Sequence, residues 1–202
     1  MSRIAIVYHS GYGHTAVLAE KVAEGGRQAG ASSALLRIDG AGQDFAPLLA
    51  EIDQADAVVF GSPTYMGDIS AAFKSFEEST TAIFAAQGWR GKLAAGFTNS
   101  GSASGDKLHA LESLSLFAAQ HGMVWVNPGQ RPGGEAQDFS ENGVNRLGAW
   151  LGVIAQSANA PAGVTPPAGD RESARLLGVR VAEAARRWGR EPARQAEDRA
   201  AA

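Results

Sequence analysis

The stretch Arg3–Ala23, RIAIVYHSGYGHTAVLAEKVA, decides how the rest of the chain is read. Ile4, Ala5, Ile6, Val7 and Tyr8 form a nearly continuous apolar run, the pattern of a parallel strand covered on both faces. A turn rich in glycine and hydroxyls follows, Ser10-Gly11-Tyr12-Gly13-His14-Thr15, and then Ala16, Ala19, Val22 and Ala23 recur at helical spacing. A strand, a turn and a helix in this order leave several backbone N–H groups free at a helix N-terminus, where the dipole also favours an anion. Gly11 and Gly13 allow close backbone approach, and the hydroxyls of Ser10 and Thr15 are further donors. The stretch reads as a phosphate cradle.

Outward from the cradle, strands and helices alternate. Ser33–Ile38 is a second strand closed by Asp39-Gly40, and Phe45, Leu48, Leu49 and Ile52 mark a short helix. Ala55–Phe60 is a third strand that stops at Gly61-Ser62-Pro63, and Ile69, Ala72, Phe73 and Phe76 mark the next helix. Leu93–Phe97 is a fourth strand, Leu108, Leu111, Leu114 and Phe117 a fourth helix, and Met123–Val126 a fifth strand. This rhythm predicts an α/β fold: an open, doubly wound parallel sheet with helices on both faces. Asn127–Gly143 is polar and long for a loop, which points to a lid or a subunit contact. Leu147, Leu151 and Ile154 suggest a short amphipathic helix, and residues 157–170 a linker-like excursion. Asp170 is the expected N-cap of a last helix whose buried stripe is Leu177, Val181, Ala184 and Trp188. Residues 1–188 are thus one domain, and 189–202 a flexible tail.

Composition narrows the functional classes. At 202 residues and 45% hydrophobic, the chain can bury a full single core. A net charge of −3 argues against nucleic acid as the main partner. The chain has no cysteine, which removes disulfides, thiolate metal sites and a thiol nucleophile. His9 and His109 lack partners at ligand spacing, so no metal site is expected. No run is long and apolar enough for a membrane span, and the start lacks a signal-peptide pattern, which predicts a cytoplasmic protein.

The cradle admits several ligands. A nucleoside triphosphate loop needs a lysine where His14 stands. A dinucleotide fingerprint fits Gly11-x-Gly13-x-x-Ala16, with Asp39 as the ribose acid. A flavin mononucleotide (FMN) site is the third reading, the hydroxyls at both ends of the turn gripping a phosphate monoester. A tight turn with no ligand is the plain alternative. Ligands of such sheets bind outside the carboxyl ends of the strands. There Ser62–Ser70 and Thr98–Gly105 are dense in small and hydroxyl residues, which favours a flat ring lying across two loops and hence FMN.

The run Ile6-Val7-Tyr8-x-Ser10-x-x-Gly13-x-Thr15-x-x-x-Ala19 resembles the flavodoxin FMN-binding signature. With YGHT, SPTYMGDISAAFKSF, GKLAAGFTNSGSASG and QHGMVWV, the chain is similar over roughly residues 3–127 to the WrbA family of NAD(P)H:quinone oxidoreductases. Ala103 and Ser104 interrupt a run that is often glycine-rich in that family. The resemblance implies a flavodoxin-like five-stranded parallel sheet of order 2-1-3-4-5, non-covalent FMN, NADH or NADPH as co-substrate, quinones as acceptors, and a homodimer or homotetramer. By position, Ser10, Tyr12, Gly13, His14 and Thr15 hold phosphate. Pro63, Thr64, Tyr65, Gly67, Ser100, Gly101, Ser102 and Gly105 frame the ring. His121 faces the substrate side, with Phe84 or Trp89 as the rim aromatic. A histidine resting on a helix C-terminus is the plain account of His121. Function stays divided between ping-pong exchange with small molecules and a flavodoxin-type carrier serving a redox protein.

Overall fold

The computed structural model describes residues 1–189. In chain order they form β1 (Arg3–His9), α1 (His14–Gln28), β2 (Ser32–Ile38), α2 (Ala46–Asp53), β3 (Ala57–Tyr65), β4 (Asp68–Ile69) and α3 (Ala71–Ser79). There follow α4 (Thr81–Ala86), β5 (Leu93–Ser100), α5 (Lys107–Gln120), β6 (Val124–Trp125), β7 (Val153–Gln156) and α6 (Ala168–Trp188). The parallel sheet runs β2-β1-β3-β5-β6, with β7 also pairing β5. Counted by position, this is the expected order, its fifth place shared by β6 and β7. The expected tail beyond residue 189 lies outside the described residues.

Side chains alternate along each central strand and so split the interior into two cores. Ile4, Ile6 and Tyr8 of β1, Ala57 and Val59 of β3, and Leu93, Ala95 and Phe97 of β5 face α1 and α6. Ala5, Val7, Val58, Phe60 and Ala94 face the other way, against Phe73 and Phe76 of α3 and Leu111, Leu114 and Phe117 of α5. On the first face α1 and α6 cross closely. A Cβ on Gly25 would lie 1.8 Å from the Arg175 carbonyl oxygen, and one on Gly178 2.0 Å from that of Val22. Only glycine at both positions permits that approach.

Several expectations are corrected. Leu147, Leu151 and Ile154 do not form a helix: residues 127–152 are irregular, and Val153–Gln156 is β7, parallel to Phe97–Ser100. Val153 and Ala155 join one core while Ile154 packs on the other, the two-residue period of a strand. The helix reading failed because Leu147 and Leu151 sit in the loop ahead of the strand, so the period of four was accidental. Leu151 packs on the second core, whereas Trp150 remains 63% exposed. The third strand runs past Phe60 to Tyr65 and turns through Met66 and Gly67, both at positive φ, into β4. That hairpin takes Ile69 out of the following helix. Ser70 caps α3 by accepting the Phe73 N–H at 3.2 Å.

Asp170 is not a cap either. Helix α6 begins at Ala168, and Asp170 sits buried in its first turn. Its carboxylate accepts from Arg146 Nε at 2.9 Å and Nη2 at 3.2 Å, and from the Gln156 N–H at 2.8 Å. Burial pushes this carboxyl up, opposed by the Gln156 N–H and by Arg146. The stripe of α6 follows Ala174, Leu177, Val181 and Ala185, leaving Trp188 48% exposed with its Nε1–H donating to the Gly91 carbonyl.

The long polar loop after β6 is anchored within the chain. The loop lies along α6: Gln130 Nε2 donates to Ser173 O at 2.8 Å, and Ser173 Oγ accepts the Asn145 N–H at 2.8 Å. No helix among the described residues is long and apolar enough to cross a membrane.

Candidate functional site

Gly13, at φ +90°, ends the turn after β1 and precedes the first helical residue, His14. Within the turn, Gly11 packs closely on the Tyr65 hydroxyl, and Ala16 N–H donates to Ser10 Oγ at 3.1 Å. The N–H groups of Tyr12, Gly13, His14 and Thr15 find no acceptor among the described residues. They stand free at the N-terminus of a 15-residue helix with no acid in its first turn. Because Ser10 Oγ already accepts from Ala16, its proton remains to be donated. Thr15 Oγ1 has no protein partner among the described residues. Four backbone donors and two hydroxyls, with no nearby carboxylate, suit a phosphate dianion.

This cradle opens into a cleft of about 430 Å³. Tyr12, His14 and Thr15 form one side, and Pro63, Thr64 and Tyr65 from the end of β3 another. Asn99, Ser100 and Gly101 from the end of β5, with residues 157–160 after β7, complete it. No Asp or Glu lines it. Thr64 Oγ1 and Thr98 Oγ1 bond at 2.7 Å across the two strand ends. Ser157 Oγ bonds Asn99 Oδ1, and its N–H donates to Ser100 O at 2.9 Å, so the 157–160 segment is tied to the β5 end. His14 lies 2.8 Å by Nε2 from the Ala160 carbonyl, an acceptor, so Nε2 carries the proton. Tyr12 and Tyr65 meet edge to face at 6.3 Å. Burial pushes the Tyr65 phenol up, with Tyr12 adding to the rise and the Gly11 N–H opposing it. A larger cleft, about 710 Å³ and lined by Ala31, Asp56, Arg90 and Lys92, lies at the opposite end of the sheet, away from the cradle.

Eight expected residues therefore share one region: Tyr12, His14, Thr15, Pro63, Thr64, Tyr65, Ser100 and Gly101 line the cleft. Ser10 and Gly13 shape the cradle from behind. Gly67, Ser102 and Gly105 do not line it: Gly67 makes the β3–β4 turn, and Ser102 and Gly105 belong to the loop beyond Gly101.

His121 is elsewhere. Helix α5 has 14 residues, so its two ends are about 21 Å apart at 1.5 Å per residue. Its start follows the β5 end; its finish lies near the other end of the sheet, where Gly91 N–H bonds Gly122 O. His121 is 1% exposed. Thr80 Oγ1 spends its proton on the Glu77 carbonyl at 2.7 Å and therefore accepts from His121 Nε2–H at 2.9 Å. Trp89 and Phe117 enclose the imidazole at 4.6 and 4.8 Å, and burial pushes its pKa down. Trp89 is fully buried with Nε1–H on Asp53, and Phe84 is 6.1 Å from His121. The expected common rim of Tyr65, Phe84, Trp89 and His121 is thus corrected: within one chain, three of them form a separate cluster.

Residues 157–160 are cleft residues that sequence reasoning missed, and Asn99 lies in the Thr98–Gly105 loop without having been singled out. For residues 157–160 the signal was present in Val153-Ile154-Ala155, a short apolar run with two β-branched residues between Gly152 and Gln156.

Residues 9–138 match the family described as NADPH-dependent FMN reductase. The chain belongs to that family. Members and relatives extend beyond the matched segment. The Pseudomonas aeruginosa flavodoxin FldP is 38% identical, covering 90% of this chain and 96% of its own. A Rhizobium meliloti protein named NAD(P)H dehydrogenase (quinone) 3 is 30% identical, with 92% of each chain covered. The crystal structure of a flavodoxin, WrbA-like protein from Agrobacterium tumefaciens superposes with a TM-score of 0.72 at 39% identity, covering 93% of this chain and 99% of that one. The WrbA-like flavodoxin fold read from the sequence holds. So does the assignment as an FMN-dependent oxidoreductase, whose cofactor the free donors of the cradle fit.

Proposed function

We propose that this chain transfers two electrons from NADH or NADPH to quinones, with FMN held in the cleft. The observation that carries the reading is a cradle of unsatisfied donors continuous with an open, acid-free space between the β3 and β5 ends. The names of the relatives at about 30% identity support the substrate classes. FMN, when bound, supplies reversible two-electron chemistry. The chain's own residues do the rest. Ser10, Thr15 and the N–H groups of Tyr12 to Thr15 hold the phosphate. Pro63, Thr64, Ser100 and Gly101 bound the ring, and Tyr12 and Tyr65 offer aromatic edges to flat partners. No carboxylate in the cleft takes up a proton, which suits transfers that need no protein base.

Nicotinamide and quinone use the same open face in turn. Initial rates against both substrates should give parallel double-reciprocal lines, and oxidation no faster than with free FMN would sink the enzyme reading. The FldP relative favours a second reading, an FMN carrier that docks on a redox protein. We further propose a homodimer or homotetramer, because Leu108, Leu116, Phe139 and Trp150 leave large apolar side chains exposed. Light scattering at micromolar concentration checks it; a monomer would count against it.

A further inference from the structure

Lys107 opens α5 and is 1% exposed. Its ammonium contacts no carboxylate: Nζ donates to Ser100 Oγ at 3.2 Å, to Ala103 O at 3.0 Å and to Ser102 O. A lysine this buried is uncommon without an acidic partner. Burial lowers its pKa to about 8, Arg146 adding to the fall and Asp170 opposing it. A positive charge at a helix N-terminus is also opposed by the dipole. Such a costly placement secures one thing, the shape of the loop 100–105.

The other bonds of that loop hold the carbonyls of Ser100, on Ser157 N–H at 2.9 Å, Gly101, on Gln156 Nε2 at 3.3 Å, Ser102, on Ser100 Oγ at 3.4 Å, and Ser104, on Lys107 N–H at 3.3 Å. Residues 101–104 are exposed, and the N–H groups of Ser102, Ala103 and Ser104 have no protein acceptor among the described residues. The peptide bonds here are trans, so each carbonyl and the next N–H point in opposite directions. With the carbonyls of Ser102 and Ala103 held on Lys107, the N–H groups of Ala103 and Ser104 turn away from it and stand unpaired. The loop continues from Ser100 and Gly101, which already form the cleft wall.

We propose that Lys107 is a positioning residue for the cofactor: it fixes the 100–105 loop and, through Ser100, the cleft wall that the loop continues from, and its buried charge favours the ring's reduced, more negative form. The inference rests on the FMN reading above. It departs from the expected ring contacts, because the group it names lies behind the loop and touches no ligand.

The test compares Lys107→Met, which keeps length and loses charge, with Lys107→Gln, which keeps donors and loses charge. FMN affinity is read by quenching of flavin fluorescence, and the midpoint potential by dye-coupled titration. Circular dichroism confirms folding, and the glutamine variant carries the test if the methionine variant does not fold. The expected result is about tenfold weaker binding in the methionine variant and a smaller loss in the glutamine variant. In both, the preference for reduced over oxidised FMN should fall about tenfold, which is about 30 mV for a two-electron couple. A potential unchanged in both variants overturns the inference, whether or not affinity falls. A native chain that binds no FMN would fail differently, by removing the cofactor reading itself.

Discussion

The double variant Ser10→Ala, Thr15→Ala is expected to bind FMN at least about a hundredfold more weakly than the native chain. A hydrogen bond to a charged group contributes about 1.5–3 kcal/mol, and about 1.4 kcal/mol is tenfold in affinity. Each single variant should therefore lose about ten- to a hundredfold. Ser10 also accepts the Ala16 N–H, so Ser10→Ala leaves that donor dependent on water and costs some stability. Thermal melts of the apoproteins separate that loss from the loss of phosphate binding. Riboflavin, which lacks the phosphate, provides the decisive control. Its affinity should be nearly the same in native and variant chains, and far below that of FMN in the native chain. Equal losses for riboflavin and FMN would show that the two hydroxyls do not grip the phosphate.

Asp170→Leu should be the most destabilising of the single changes considered, at about 3–5 kcal/mol, because it strands Arg146 beside a buried apolar surface. The carboxylate is 2% exposed and the guanidinium 12%, so water cannot readily take the lost partner's place. For a chain of this size the cost corresponds to a melting point lower by about 10 °C or more. The paired variant Arg146→Met, Asp170→Leu should regain most of the loss, since removing both charges leaves no isolated ion in the interior. An additive double variant would contradict the pairing. A second effect reaches the site. The Gln156 N–H is held by Asp170, and the cleft segment 157–160 begins at the next residue. FMN affinity should fall with Asp170→Leu and recover less fully than stability in the paired variant, which lacks an acceptor for that N–H.

What was legible in the sequence was what local pattern encodes. The apolar runs of β1, β3 and β5 and the Gly-hydroxyl turn at residues 10–15 carry their meaning within a few residues. So do the cradle and the two strand-end loops, because in a parallel sheet the chain direction alone brings these ends together. The errors fell where meaning depends on distant partners. Asp170 looked like a cap because caps are local, yet its carboxylate is held by Arg146, 24 residues away. Leu147, Leu151 and Ile154 matched a helical period by chance, and only pairing with Phe97–Ser100 makes a strand of the run that follows. His121, expected on the substrate side by family position, lies within one chain in a separate aromatic cluster. The burial of its ring against Trp89 and Phe117 is a tertiary fact with no local signature. Lys107 carries no signal of its own in the sequence; the carbonyls that enclose it bend back in a loop whose shape no period announces.

The shared fifth place in the sheet bears on what that edge can offer another strand. An outer strand of full length leaves a row of backbone groups on which another chain can add a strand. Here that row is broken. β6 pairs only with Leu93 and Ala94, β7 starts pairing at Phe97, and the residues between them belong to neither ladder. A two-residue strand and a four-residue strand, separated by the 27 residues from 126 to 152, present no uninterrupted template. The excursion that the sequence marks only as polar and glycine-rich thus ends this side of the sheet in pieces too short to template a further strand.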